Sequence, residues 1–417
     1  MKIDSVSNDL PPDSTAHRLR PRGSNQIGMG QFNERVVLQA IRLHGSLPQA
    51  EIARLTHLST QTVATILSRL EGDDLLIRLP PVRGRIGQPS IPIALNPDGA
   101  FSIGVKIGRQ SLDVLLVDFT GHVRGRLSSN YAFPDPDAVF PEIDGRVRQL
   151  RKSLRPALRS RLHGVGVVAP LSLGGWQELL GIEPKLARKW NDIDIAARVM
   201  SLSAVGDLPV EFVKDTAAAC VAELVAGRGR SIRSFLYIFV DTFVGGGLVL
   251  DSHLRAGMMG NAGAVGSLPL GLGQGRSRVP AQLLSMASLW NLDAHYTEAK
   301  IAAGAWIDGR ALQAPWLSHT RTWLTKASLG IALAVNSAAC LLDLEGVIID
   351  GSFDRGLLDA LLHDTEDALD QYNWEGVSRP LLMPGTIGSD ARAIGGALLP
   401  LYANYAPDRD LFLKMSQ

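Results

Sequence analysis

The sequence predicts an α/β chain, with a short helical unit and a hairpin in front and a two-lobed domain of mixed sheets behind. Three observations carry that prediction. Apolar residues recur at helical spacing in three short segments between residues 33 and 71. The Gly- and Arg-containing stretch "GRIGQPS" then gives way to the apolar run "FSIGVKIG", residues 101–108. Beyond it, strand-like and helix-like segments alternate towards the C-terminus, the pattern of an α/β domain.

The chain has 417 residues, long enough for two or three domains and a large core. Its 42 basic and 41 acidic residues give a net charge of +1, so a nucleic-acid site must come from local clustering of charge. Cys220 and Cys340, the two cysteines, each sit in an apolar helix-like run. They read as buried free thiols, which excludes a disulfide framework and a cysteine-based metal site. The N-terminus has no apolar leader core. The run "LGIALAVNSAACLLDL" (329–344) contains Asn336 and Ser337 and is short for a bilayer, so it reads as a buried core helix. A cytoplasmic protein with no membrane partner is expected.

Residues 1–30 are Pro-, Ser- and Arg-containing with no apolar period, and are expected to form a flexible basic arm carrying Arg18, Arg20 and Arg22. A helix starts near Asn33, with Val36, Val37, Ala40 and Ile41 on one face, and Gly45 stops it. "PQAEIARL" (48–55) makes a second helix with Pro48 in its first turn. "THL" is a tight connection, and Ser59 caps a third helix, "TQTVATILSRLE". In that helix Val63, Ile66, Leu67 and Leu70 face inward, while Gln61, Thr65, Ser68 and Arg69 face out and Thr60 and Thr62 flank the first turn. Small hydroxyl and amide side chains at a helix N-terminus suit entry into a major groove. "LLIRLPPVRGRIGQPSIPIAL" follows as strand, loop and strand, with Arg83 and Arg85 placed to touch phosphates or the minor groove. Residues 31–95 are therefore expected to be a winged helix-turn-helix. Its candidate DNA-binding residues are Ser59, Thr60, Gln61, Thr62, Thr65, Arg69, Arg83, Arg85 and Gln88. The competing reading is a three-helix protein-interaction module; arginines in both arm and wing, with few acids between, favour DNA.

Behind it, residues 98–417 open with three strands in a meander, with turns at Gly108–Gln110 and Thr120–Gly121. A charged helix follows over about 137–160, then the strand "GVGVVAPL" (164–171). "LPVEFVKD" leads into the helix "TAAACVAELVAG", "SFLYIFVDTFVGGGLVLDSHL" is a strand pair around a Gly-rich bend, and "EGVIIDGSF" is one more strand before a helix. Two such halves fit an actin-like, ribonuclease H-like ATPase (sugar-kinase) fold in two lobes with a cleft between them. A kinase in such a cleft needs an acid to place Mg²⁺, a base for the hydroxyl and backbone donors for the phosphate. Asp215 reads equally as a base or as a helix N-cap, and Gly245–Gly247 equally as phosphate donors or as a hairpin bend. Lys106 could hold phosphate but not a metal. The nine histidines show no ligand spacing, so no metal and no cofactor are expected.

From about residue 25 to 405 the chain resembles the winged-helix transcriptional regulators of the ROK family (repressors, open reading frames and kinases). The resemblance rests on "NERVVLQAIRLHGSLPQAEIARLTHLSTQTVATILSRLE", "GRIGQPS", "ALNPDGAFSIGVKIG", "LYIFVDTFVGGGLVLDSHLRAGMMGNAGAVG" and "IGSDARAIGGALL" in that order. It implies a DNA-binding regulator, most simply a repressor, whose kinase-like domain binds a sugar-derived effector. Against the family's patterns, Lys106 stands where the phosphate loop has an acid, and Lys214–Asp215 where a sugar-binding Asn-Asp pair is implied. Ala264 and Ser267 replace the implied sugar-binding Glu and zinc-ligand His, "GLGQGRSRVPAQ" replaces the zinc knuckle, and Lys185 precedes Trp190 where an Asn is implied. The resemblance therefore implies lost catalysis, with Asp215 a relic base and no zinc. Lys106, Lys185, Lys214, Asp215, Gly245 and Gly246 are the candidate effector-binding residues. The three lysines pair with local acids or face solvent, or else they tune the cleft to an anion such as a sugar acid or sugar phosphate. A palindromic operator further implies a homodimer or homotetramer. The alternatives are a glucokinase-like sugar kinase with a fused DNA-binding head, and a constitutive DNA-binding protein whose cleft is a relic.

Overall fold

The computed structural model describes residues 26–82, 90–170, 173–175, 181–272 and 279–407. Arg18, Arg20, Arg22, Arg83, Arg85 and Gln88 lie outside the described residues.

The front unit runs α1 (Gln26–His44), β1 (Ser46–Pro48), α2 (Gln49–Thr56), α3 (Thr60–Gly72), β2 (Leu76–Arg78) and β3 (Pro92–Leu95). Its three strands form an antiparallel sheet in the order β1-β3-β2. Helix α1 begins seven residues before the expected Asn33, inside the segment expected to be a flexible arm. Gly28 and Gly30, each disfavoured in a helix by about 1 kcal/mol relative to Ala, hide those turns from a sequence reading. Pro48 ends β1 and stands at the N-cap of α2, not in its first turn. His57 in the left-handed region ends α2, and Ser59 Oγ accepts from the Thr62 N–H at 3.1 Å to start α3. Val63, Ile66, Leu67 and Leu70 are buried as the periodicity requires.

The rear domain contains two five-stranded sheets of one topology. Strands β4 (Phe101–Ile107), β5 (Ser111–Asp118) and β6 (Val123–Asn130) form the antiparallel meander. Helix α4 (Pro136–Ser153) leads to β7 (Leu162–Ala169) and then β8 (Val210–Lys214), both parallel additions, giving the order β6-β5-β4-β7-β8. After helix α5 (Asp215–Ala226) the pattern repeats with β9 (Phe235–Val240), β10 (Gly245–Leu250), β11 (His253–Arg255), β12 (Gly346–Gly351) and β13 (Leu381–Pro384). Their order, β11-β10-β9-β12-β13, has the same pattern of antiparallel and parallel pairings. Helix α6 (Leu317–Leu342) precedes β12, α7 (Arg355–Leu369) precedes β13, and α8 (Ala391–Tyr405) follows it.

The two lobes exchange their last helices. Helix α8 lies on the first sheet: a Cβ on Gly104 would come within 2.5 Å of the Ala397 nitrogen, and one on Gly166 within 2.0 Å of the Gly396 oxygen. Helix α5 lies on the second sheet: a Cβ on Gly247 would come within 2.6 Å of Cys220 Cβ, and one on Gly245 within 2.8 Å of Thr216 Cγ2. So Gly245–Gly247 is a flat landing surface inside β10, and the bend is the preceding segment 241–244. The two exchanged helices touch each other at Gly395, whose Cβ would lie 1.7 Å from the Ala218 oxygen.

Helix α6 is long and apolar enough, by length and composition, to cross a membrane. Trp323, Leu324, Ala327, Ile331 and Val335 nevertheless pack it into the second-lobe core. Its opposite face exposes Leu329, Leu341 and Cys340. The expectation of two buried cysteines is thus corrected: Cys220 is buried and Cys340 is not, because Cys340 follows buried Ala339 by one residue and so turns outward.

The front unit shares a core with the rear domain, where Val37, Leu38 and Ile41 of α1 join Phe119, Leu398 and Leu401. Three arginines fix the joint. Arg42 donates to the Phe119 oxygen at 3.1 Å, Arg35 donates to the Ala403 and Ala406 oxygens at 3.2 Å each, and Arg230 donates to the Arg42 oxygen at 2.9 Å and to the Leu43 oxygen.

Two outcomes follow from this packing. Gly395→Ala should cost at least about 3 kcal/mol, the upper end of overpacking, because backbone must move to admit the methyl; urea unfolding reads it, and a near-neutral result would contradict the close seat. Glu211 on β8 has its carboxyl pushed up to about 7 by burial, from an ordinary 4.5. Its ionised form is disfavoured in the fold, so stability is greatest below 4.5 and falls as the pH rises through 7. Glu211→Gln should therefore be more stable than the parent above that range and equal to it below; matched urea titrations across the range would show parallel curves if the assignment is wrong.

Candidate functional site

The cleft between the lobes holds a cavity of about 300 Å³. The end of β4, the β4–β5 turn, the β8–α5 junction, the β9–β10 connection, the loop carrying Ala264 and Ser267, and the start of α8 all reach it. The strands of both sheets deliver side chains there from their C-terminal edges, the usual ligand side of open α/β sheets.

Lys106 is buried, and its ammonium donates to Asp113 Oδ2 at 3.0 Å and to Ser111 Oγ at 2.8 Å. Burial and the nearby Arg392 push it down, and Asp113 counters. Lys106 and Asp113 are direct cross-strand partners in the β4–β5 hairpin, so the chain neutralises this lysine locally. Lys214 closes β8 and lines the cavity, half-buried, and its ammonium makes no ion pair or hydrogen bond among the described residues. Burial pushes it down, and Asp215 alone works against that shift.

Asp215 is the first residue of α5, one position past the N-cap. Its Oδ1 accepts from the Thr216 N–H at 2.8 Å and its Oδ2 lies 3.7 Å from Arg392 Nη1. It thus serves the helix start and faces the cavity at once. Arg392 also pairs with Asp241 and lies 5.3 Å over the Phe239 ring. Burial opposes the Arg392 charge, but Asp241 and then Asp215 hold its pKa above the ordinary value. Arg109 lies 5.2 Å over the Phe243 ring; burial pushes it down, against Asp215 and Asp241.

Two of the expected effector residues fall elsewhere. Lys185 is exposed on the short helix Pro184–Arg188 and is not among the cavity-lining residues. That helix turns Ala187 inward, beside Trp190 anchored by its Nε1 donating to the Pro134 oxygen at 2.9 Å, and Lys185 is thereby turned out. Gly245 lines the cavity, but Gly246 is buried behind it, its carbonyl accepting from Thr216 Oγ1 at 3.0 Å. Conversely, the sequence reading missed Arg109, Asp241 and Arg392. Arg392 was visible only as a letter in "IGSDARAIGG"; Asp241 carried a signal, a lone acid ending an apolar strand. Among the described residues no group of three His, Cys, Asp or Glu side chains could hold a metal ion.

On α3, Ser59, Thr60, Gln61, Thr65, Ser68 and Arg69 are exposed and Thr62 is half-exposed. Several are locally engaged. The Ser59 and Thr62 hydroxyls meet at 2.8 Å, and Thr65 Oγ1 donates to the Gln61 oxygen at 3.1 Å. Arg69 pairs with Glu34 and so ties α3 to α1, a job not expected of it. The Gln61 amide makes no hydrogen bond among the described residues, which leaves it available to a partner.

Residues 102–281 match the model of the ROK family, and residues 33–83 that of the MarR family. The chain carries a ROK-family domain. The matched segment covers the cavity wall from β4 onward but ends before Leu284 and Arg392. The xylose repressor of Bacillus subtilis (strain 168) is 21% identical over 251 residues, 59% of this chain and 62% of that repressor. The chain thus spans less than two thirds of that relative's length. Among solved structures, a ROK family transcriptional regulator described as a homolog of the E. coli MLC protein superposes with a TM-score of 0.63 at 18% identity, over 93% of this chain and 99% of that one. The ROK hexokinase from Thermus thermophilus gives 0.54 at 21% identity, over 72% and 97%. These likenesses show the fold, a winged-helix region ahead of a sugar-kinase-like domain, as the sequence predicts.

Proposed function

We propose that this chain is a cytoplasmic DNA-binding transcriptional regulator, a repressor, whose ROK-family domain senses a sugar-derived metabolite without catalysis. The observation that carries this reading is the exposed, Ser59-capped α3 joined through a shared core to a domain with a charged cleft. The MarR-type match over the same helices and the printed names of the relatives, xylose repressor and ROK transcriptional regulator, support it. We divide the chain into an arm (1–30), a reading head (31–95) and a sensor and dimerisation domain (98–417). A homodimer would present two heads to the two halves of a palindromic operator. Of the candidates for DNA contact, Gln61 is the base reader, and Ser59, Thr60, Thr62 and Thr65 shape the helix start around it.

The cleft supports sensing over turnover. A kinase needs an acid to place Mg²⁺ at that strand end, and here Lys106 occupies it, neutralised by Asp113. Asp215, the acid a kinase could use as its base, lies 3.7 Å from Arg392 Nη1 and is shared with that guanidinium. Helix α8 gives the sensor a route to the head. Arg392 at its start reaches the cavity, and its C-terminal carbonyls receive Arg35 of α1. A ligand that closes the lobes would carry α8, together with the first sheet on which it is seated, relative to the second lobe and so reorient the head, a two-state coupling of about 1–3 kcal/mol.

Selection of binding sites from random DNA with the full chain should enrich one two-fold sequence. Gln61→Ala should weaken that site by about 1–3 kcal/mol while sparing random DNA, and purified protein should show no steady ATP-dependent sugar phosphorylation. Equal losses on both DNAs would misplace the reading helix, and turnover abolished by Asp215→Asn would favour the kinase with a fused head.

A further inference from the structure

Lys214 lines the cavity with no carboxylate bonded to it among the described residues. The carboxylates nearby, those of Asp113, Asp215 and Asp241, are engaged by other cations. Asp113 is committed to Lys106, and Arg392 engages both Asp215 and Asp241. Lys214 is the telling group, because it is half-buried and no described carboxylate bonds it. Asp215, its sequence neighbour, directs its oxygens to Thr216 and Arg392 instead.

Holding an ammonium half out of water without a partner is costly, and a bound anion removes that cost. A hydrogen bond between ionised groups is roughly twice as strong as a neutral one. A neutral sugar offers Lys214 only hydroxyls, and the two carboxylates that could take sugar hydroxyls are already shared with Arg392. Thr242 and Ser267 on the facing walls can still hold hydroxyl groups. At about 300 Å³ the cavity lies at the small end of ligand pockets and suits a single sugar-sized molecule.

We propose that the cavity takes a sugar-sized metabolite carrying a carboxylate or phosphate, and that Lys214 selects this anion over the neutral sugar. The inference rests on the sensing role proposed above for the same cavity. It places the anionic group at the β8–α5 junction and the polyol part towards Thr242 and Ser267. Burial pushes Lys214 down, and an anion beside it would push it back up, which agrees with this geometry.

Calorimetry with the full chain at constant ionic strength tests it, using inorganic phosphate, glucose, glucuronate and glucose 6-phosphate. At least one anion should bind about tenfold tighter than glucose, a difference of about 1.4 kcal/mol. Tighter binding of glucuronate would mark a carboxylate, and of phosphate or glucose 6-phosphate a phosphate. Lys214→Gln should abolish the preference, Lys214→Arg should retain it, and Lys152→Gln on an exposed face of α4 should leave it unchanged. Glucose binding as tightly as every anion, no anion binding at all, or a preference that survives Lys214→Gln would each overturn the proposal. DNA-site selection on the same preparations keeps the two readings apart. A selected site with no anion preference sinks only this inference, whereas anion preference with no selected site sinks the regulator.

Discussion

The structure depends on one close contact, the seat of α8 against the first sheet and against α5. Gly104 and Gly166 clear the sheet surface, and Gly395 and Gly396 clear the helix, so backbone meets backbone where side chains would normally intervene. At that separation the helix has no room to slide or rock independently. The same device holds α5 on the second sheet through Gly245 and Gly247. Because each lobe contributes the helix that covers the other, the lobes cannot separate without exposing the faces between them. Their relative motion is confined to the cleft.

That confinement gives the cleft and the front unit a common part. The start of α8 places Arg392 among Asp215, Asp241 and the Phe239 ring, and its end places carbonyls against Arg35. The two ends are about 21 Å apart, at 1.5 Å per residue over the fourteen residues from 392 to 406. Between them Leu398 and Leu401 lie in the core that α1 shares. A change in the ion pairs at one end is therefore delivered to a rigid element whose other end is bolted to the front unit. The lysine at position 106 belongs to the opposite design: its partner Asp113 removes it from any exchange with a ligand.

The parts of this arrangement that a sequence reading reaches are those written as periodicity. The buried stripe of α3 and its Ser59 cap, the opening meander with both its turns, and the β8–α5 junction all follow from spacing and turn chemistry. Strands β1, β11 and β13 do not, because three or four residues cannot establish a period of two, and they lack the Gly- and Pro-rich loop that marks the equally short β2 and β3. Gly245–Gly247 misleads because a glycine run signals a bend unless a helix is known to land on it. Lys185 misleads because its neighbour Trp190 is a core anchor, and proximity to it in sequence says nothing about the cleft. The charges that matter most, Arg109, Asp241 and Arg392, come from three segments more than a hundred residues apart. Their meeting is a property of the lobe exchange, and no local pattern records it.

On the function proposed above, α8 joins cleft and head as one mechanical unit. A double-mutant cycle on operator affinity tests it most directly, pairing Arg392→Gln at the cleft end with Arg35→Ala at the head end. Sites so far apart normally add to within about 0.3–0.5 kcal/mol. An interaction energy of about 1 kcal/mol or more is expected, because loss of either anchor leaves the other with less to transmit. Strict additivity would mean that the two ends act independently, and would contradict it.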